Sequence, residues 1–332
     1  MMKRKIISML SAAMILITLT FITGCSYSEK TNNEQISIVT TCFPPYDFAK
    51  AVTGGNADIT MLLCPGAEAH SYEPTPLDIA KIQNCDIFIY IGGEGEVWAD
   101  KILDSFDSSD ITIIKLIDFV DPLPEEEIPG ASPNKHDHDH EHSHSSQKSD
   151  TEAEGEEYDE HIWTSPKNAV KCVSAIRNAL CQKYTERSDE YKSNAQAYEA
   201  QLKELDRDFA EMAENSPNRT IVIGDRFPFR YLTNDYGLDY FAAFSGCSSE
   251  SEPGIYTIAF LIDEITEHNI NAVFYLEFST KKLAEKLSSA SGAEMLPLHS
   301  CHNVSKNDFE NGITYIDLMR QNLNNLKEAL YE

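Results

Sequence analysis

The feature that most constrains the fold is an uninterrupted helical stretch in the second half of the chain. Residues 188 to 215, SDEYKSNAQAYEAQLKELDRDFAEMAEN, hold neither Gly nor Pro, and the next Pro is Pro217. The stretch opens on Ser-Asp, a capping pair, and continues in strong helix formers. It predicts one continuous helix of roughly 40 Å at a rise of ~1.5 Å per residue. A helix of that length between two globular parts is a stiff strut, so the lobes it joins rock slightly about a shared cleft.

Both flanks carry the alternation of an α/β protein. Before the helix, ISIVTT, ADITMLL, DIFIYIG and ITIIKLI are short β-branched runs, separated by YDFAKAVTG, PLDIAKIQN and EVWADKILDSF. After it, TIVIGD, YFAAF, AVFYLE and EMLPLHS alternate with further helical stretches, and a terminal helix begins near Asn307. Strand, helix, strand in repetition implies parallel sheets. The expected fold is therefore α/β: two Rossmann-like lobes, residues 36–187 and 218–332, joined by the helix 188–217.

The first 25 residues, MMKRKIISMLSAAMILITLTFITGC, have a basic start, an apolar stretch and small residues at the end, the pattern of an export signal. ITGC resembles the lipobox of bacterial lipoproteins. That likeness implies a signal peptide over 1–24, an acylated Cys25 as lipid anchor, and a tether over 25–35. The body is then expected outside the cytoplasmic membrane, lipid-anchored to its outer face. The alternative is an uncleaved membrane anchor, which leaves the body on the same side.

A net charge of −27 argues against nucleic acid as a partner. Much of the acid flanks HDHDHEHSH, in which His136, His138, His140, His142 and His144 fall on alternate positions. Imidazole suits borderline metals, so this run binds metal. It lies in an acidic loop, about 130–160, with no helical or strand periodicity, and cannot preorganise a closed site. We expect it to gather metal ions weakly while tight binding occurs elsewhere. Seven cysteines follow Cys25 without a C-x-x-C pair, so neither a zinc ribbon nor a thioredoxin-like site is written here. Cys247 and Cys301 lie near strand ends and form a possible disulfide; two buried thiols are the alternative.

Open parallel sheets bind ligands beyond the carboxyl ends of their strands. His70 follows ADITMLL, in a loop whose far end Thr75 and Pro76 fix as a helix start. His161 stands just before a helix that Ser165 can cap and Pro166 can begin. His299 ends EMLPLHS, Glu277 ends AVFYLE and Asp225 ends TIVIGD. All five point to one edge. His302 is a further candidate close to His299, Glu277 can instead pair with Arg226, and His268 belongs to a helix surface.

PGAEAHSYEPTPLDIAKIQNCDIFIYIGGEGEVWADKIL, the histidine-rich loop, DEHIWTSPKNA and HSCHNVS together resemble the zinc-binding subgroup of metal-specific solute-binding proteins of bacterial ABC importers. The resemblance runs from about Ile36 to the C-terminus. It implies two lobes on a rigid helix, a Zn²⁺ ion held between them, and handoff to a membrane permease driven by a cytoplasmic ATPase. By motif it implies His70 and His161 as ligands. Where the subgroup carries a histidine in H-x-A-F-x-Y, this chain reads RFPFRY, placing Arg226 there, and guanidinium cannot ligate. At the last ligand position, commonly an aspartate, the chain has His299. The ligand set expected is therefore His70, His161 and His299, completed by water, Glu277 or Asp225.

Three imidazoles favour zinc over manganese, whose sites lean on carboxylates. The chain is taken as a monomer and as a binding protein rather than an enzyme. Competing readings are a manganese or iron importer component, a surface adhesin or metal store, and a zinc hydrolase. The last lacks H-E-x-x-H, and HDHDHEH has histidine where the H-x-H-x-D-H motif needs aspartate.

Overall fold

The computed structural model describes residues 35–126, 128, 157–246 and 253–331. Cys25, the five histidines from His136 to His144, and Cys247 lie outside the described residues. The strands are β1 (Ile36–Thr40), β2 (Ala57–Met61), β3 (Ile87–Tyr90), β4 (Thr112–Lys115), β5 (Thr220–Phe227), β6 (Asp239–Ser245), β7 (Ala272–Tyr275) and β8 (Glu294–Pro297). They form two four-stranded sheets of order β2-β1-β3-β4 and β6-β5-β7-β8. Every pairing is parallel, with Ile38 beside Ile59 and Ile87 in the first sheet and Val222 beside Phe241 and Val273 in the second. The two sheets repeat one topology. In each, the chain reverses across the first strand, and the crevice that forms there opens at the strand carboxyl ends.

The strands read as unbroken apolar runs because both faces of each sheet are covered. Ile36 and Ile38 of β1, with Ile221 and Ile223 of β5, face a single core that runs through both lobes. Val39 and Phe88 face a separate layer with Ile82 and Ile102, while Val222 and Val273 face another with Leu261 and Leu287.

The strut is Ser188–Asn215, 28 residues and so roughly 42 Å long. Tyr191, Ala195, Tyr198, Leu202, Leu205, Phe209 and Met212 are its buried stripe, at alternating intervals of four and three. That spacing keeps one face turned inward along the whole helix. The stripe enters the common core, so the helix packs against both halves as well as linking them. Asp47 adds a polar tie. Its Oδ2 accepts from Tyr198 Oη at 2.7 Å and from the Tyr315 amide at 3.1 Å, joining helix Phe43–Thr53 to the strut and to the terminal helix Tyr315–Tyr331. Among the described residues, no helix is long and apolar enough to cross a membrane.

Candidate metal centre

Three loops at the strand ends deliver one imidazole each. The loop after β2 carries His70 and is fixed at its far end by a capping box on helix Pro76–Gln83. There Thr75 Oγ1 accepts from the Asp78 amide at 3.2 Å, and Asp78 Oδ2 accepts from the Thr75 amide at 3.1 Å. His161 precedes helix Pro166–Lys183, whose N-cap Ser165 accepts from the Asn168 amide at 3.2 Å. Both caps are the ones the sequence signalled.

The third imidazole is His302, not His299. The backbone of His299 is clamped by Asn322 of the terminal helix, which accepts from its amide and donates to its carbonyl, both at 2.7 Å. Its ring Nδ1 accepts from the Cys301 amide at 2.9 Å and lies 3.8 Å from Glu277 Oε1. Cys301 then takes φ +62°, in the left-handed region. That turn brings His302 inward, where its carbonyl accepts from the Phe43 amide at 3.1 Å. The expected grouping of His70 and His161 with His299 is thus replaced by one with His302.

His70, His161 and His302 each offer a ring nitrogen within 4.8 Å of the other two. Their ring centroids form a near-equilateral triangle of 5.4, 5.6 and 5.7 Å. The His302 ring lies against Trp163 at 4.7 Å, and Trp163 Nε1 donates to the Ser300 carbonyl at 2.8 Å. The segment carrying His302 is bonded directly to the loop carrying His70. Asn303 Nδ2 donates to the carbonyls of Cys64 and Ala67 at 2.8 and 2.9 Å, and the Gly66 amide donates to the Val304 carbonyl at 2.8 Å.

His161 is fully buried, with Nδ1 3.1 Å from Asp159 Oδ1, while its Nε2 has no hydrogen-bond partner. A buried ring nitrogen facing two other imidazoles without a partner is poorly satisfied as a hydrogen-bonding group and well placed as a ligand. The charges agree. Burial, then the His161 and Arg226 charges, pushes His70 down to about 3. Burial, then His70 and His161, holds His302 well below the ordinary imidazole range. For His161 burial also acts downward, but the carboxylates of Asp159, Glu160 and Glu125 together outweigh it and the net direction is up. Two of the three rings are therefore neutral lone-pair donors at any physiological pH.

The cluster opens into a cavity of about 400 Å³ that Asp225, Arg226, Glu277 and Lys282 also line. Glu277 accepts from the Ser300 amide at 2.9 Å and its hydroxyl at 2.5 Å, so it braces the turn into His302. The carboxylate partner of Arg226 is Glu68, at 3.1 Å across the cleft, rather than Glu277. Asp225 Oδ1 accepts from the Arg226 amide at 2.9 Å. His268 pairs with Glu264 at 3.0 Å on an exposed helix face.

Two parallel-sheet lobes on a strut helix, with histidines from both meeting at the strand ends, define a bilobal binding protein. The chain belongs to the family described as zinc-uptake complex component A, periplasmic (ZnuA), whose model matches residues 38–329. It is 31% identical over 306 residues to the high-affinity zinc uptake system protein ZnuA of Bacillus subtilis, covering 91% of this chain and 90% of that one. It is 33% identical over 325 residues to the zinc-binding lipoprotein AdcA of Streptococcus pneumoniae, covering 98% of this chain but 61% of the longer relative. Its fold matches the Zn(II)-bound ZnuA-like domain of that organism's AdcA at TM-score 0.71 and 30% identity, over 90% of this chain and 100% of that domain. The metal-dependent lipoprotein YcdH of Bacillus subtilis matches at TM-score 0.73 and 28% identity, over 89% of this chain and 100% of that one.

Proposed function

We propose that the chain is the extracytoplasmic zinc-capturing component of an ABC importer. It binds one Zn²⁺ through His70, His161 and His302 and passes the ion to a membrane permease driven by a cytoplasmic ATPase, without chemistry of its own. The observation that carries this reading is the convergence of three imidazoles from both lobes, with the buried, unpartnered Nε2 of His161 among them. Three neutral nitrogen donors suit a borderline divalent cation and leave a fourth position for water or for a carboxylate such as Glu277 or Asp225. The acidic run with His136 to His144 collects zinc weakly, and an acylated Cys25 keeps the protein at the outer face of the membrane.

The test is metal analysis and chelator competition on the purified chain and on two variants. His302→Ala should weaken zinc binding by at least the roughly 10–100-fold typical of losing an outer partner of a ligand. His299→Ala should change it only a few-fold, because its ring already serves the Cys301 amide. Equal losses in both variants, or tight binding in His302→Ala, overturn the assignment.

A further inference from the structure

This inference rests on the zinc reading above. We propose that Glu160 is a positioning residue that aims His70 and provides one of the two negative charges balancing a divalent ion. Glu160 is only 3% exposed, and among the described residues its one ion-pair partner is His70, whose Nδ1 lies 3.8 Å from Oε1. Its other oxygen accepts from the Gly95 amide at 2.8 Å. A carboxylate taken out of water needs a compensating charge, and no Lys or Arg among the described residues supplies it.

The chain is shaped around this carboxylate. A Cβ at Gly93 would fall 2.2 Å from Glu160 Cβ, and one at Gly95 would fall 2.8 Å from both carboxylate oxygens. Neither glycine has a left-handed φ, so close approach, not backbone conformation, excludes a side chain there. The GGEGE segment from Gly92 to Glu96 is thereby a cradle for Glu160.

The neighbouring Asp159 stands to His161 as Glu160 stands to His70. Its Oδ1 is 3.1 Å from His161 Nδ1, and it too is buried. Each of these histidines has one carboxylate beside its Nδ1, which leaves Nε2 as the ligating nitrogen. His302 backs onto the Trp163 ring instead. Three neutral imidazoles carry no charge, so with water in the fourth position these two buried carboxylates neutralise a 2+ ion and leave a 1+ ion overbalanced. At 3.8 Å the Glu160–His70 contact is longer than a hydrogen bond and steers the ring electrostatically. The site is thus matched to divalent cations by charge as well as by donor type.

The experiment compares the full chain with Glu160→Gln, which keeps the shape and an acceptor for Gly95, and with Gly95→Ala, which displaces the carboxylate. Three quantities are read: apo melting temperature, Zn²⁺ affinity by chelator competition, and Cu⁺ affinity under anaerobic conditions. Glu160→Gln should lose roughly 10–100-fold in Zn²⁺ affinity and distinctly less for Cu⁺. Its apo melting temperature should hold or rise, because a buried charge near Glu96 is removed. Gly95→Ala should show the same shift in preference. Unchanged Zn²⁺ affinity in Glu160→Gln overturns the proposal, as does an equal loss for both ions with a lower apo melting temperature, which marks a packing role. Failure of the unmutated chain to hold zinc refutes the metal reading itself, a separate outcome.

Discussion

Lowering the pH from 7.5 to 5.5 separates three titrating histidines from one. Zinc and protons compete for the same ring nitrogen, and three independent imidazoles of pKa about 6.5 would cost on the order of a thousandfold in affinity over that range. The structure gives a smaller figure. His70, pushed down to about 3, is neutral throughout, and so is His302. Only His161, raised by Asp159, holds a proton that the metal must displace. One proton per ion limits the loss to about tenfold per pH unit, so the fall from pH 7.5 to 5.5 should lie between roughly tenfold and a hundredfold. The limit is approached as the His161 pKa rises through the range.

The assay is competition with a chelator of known pH dependence on a variant lacking residues 134–150, so that the loop histidines do not contribute. A fall near a thousandfold would show that His70 and His302 titrate normally and that the triangle of rings is not buried as described. Affinity that stays level would show that His161 does not ligate. The same shifts set the sign for apo stability. His70 and His302 stay neutral in the fold while the unfolded chain takes up protons below about 6.5, so their contribution falls as pH drops through that value. His161 acts oppositely: its contribution is full below about 6.5 and is lost as pH rises through its folded pKa.

Two further outcomes are expected. Deleting residues 134–150 should leave one tightly bound zinc per chain and remove only weak additional equivalents in a calorimetric titration; loss of the tight site would relocate it to the loop. Ser165→Ala removes the cap beside His161 and a half-buried hydrogen bond to Asp235. It should cost about 1 kcal/mol and lower the apo melting temperature by roughly 1–2 °C, measured by calorimetry.

The elements that set the architecture are legible because their signals are local. The strut follows from 28 residues without Gly or Pro, and its buried stripe from their 3-4 spacing. The parallel sheets follow from apolar runs alternating with helices, and the loops bearing His70 and His161 from the Thr75-Pro76 and Ser165-Pro166 caps. The continuity of the core is not local. Nothing in Ile38 or Ile221 says that both face the same layer, because that depends on how the strut helix is buried between them.

The choice between His299 and His302 turns on one backbone angle. Reading HSCHNVS as the end of a strand points His299 into the cleft and leaves His302 as a neighbour. The left-handed turn falls on Cys301, a residue type that gives no warning of positive φ, as Gly or Asn would. Two distant contacts hold that turn: Asn322 clamps the His299 backbone, and Glu277 accepts from the Ser300 amide and hydroxyl. Glu277 reaches this edge from its place after a strand, but its bonds here go to Ser300. Glu160 is hidden in the sequence for a related reason. Its position in DEHIW is visible, yet its importance comes from Gly93 and Gly95, more than sixty residues earlier, which leave it room beside His70.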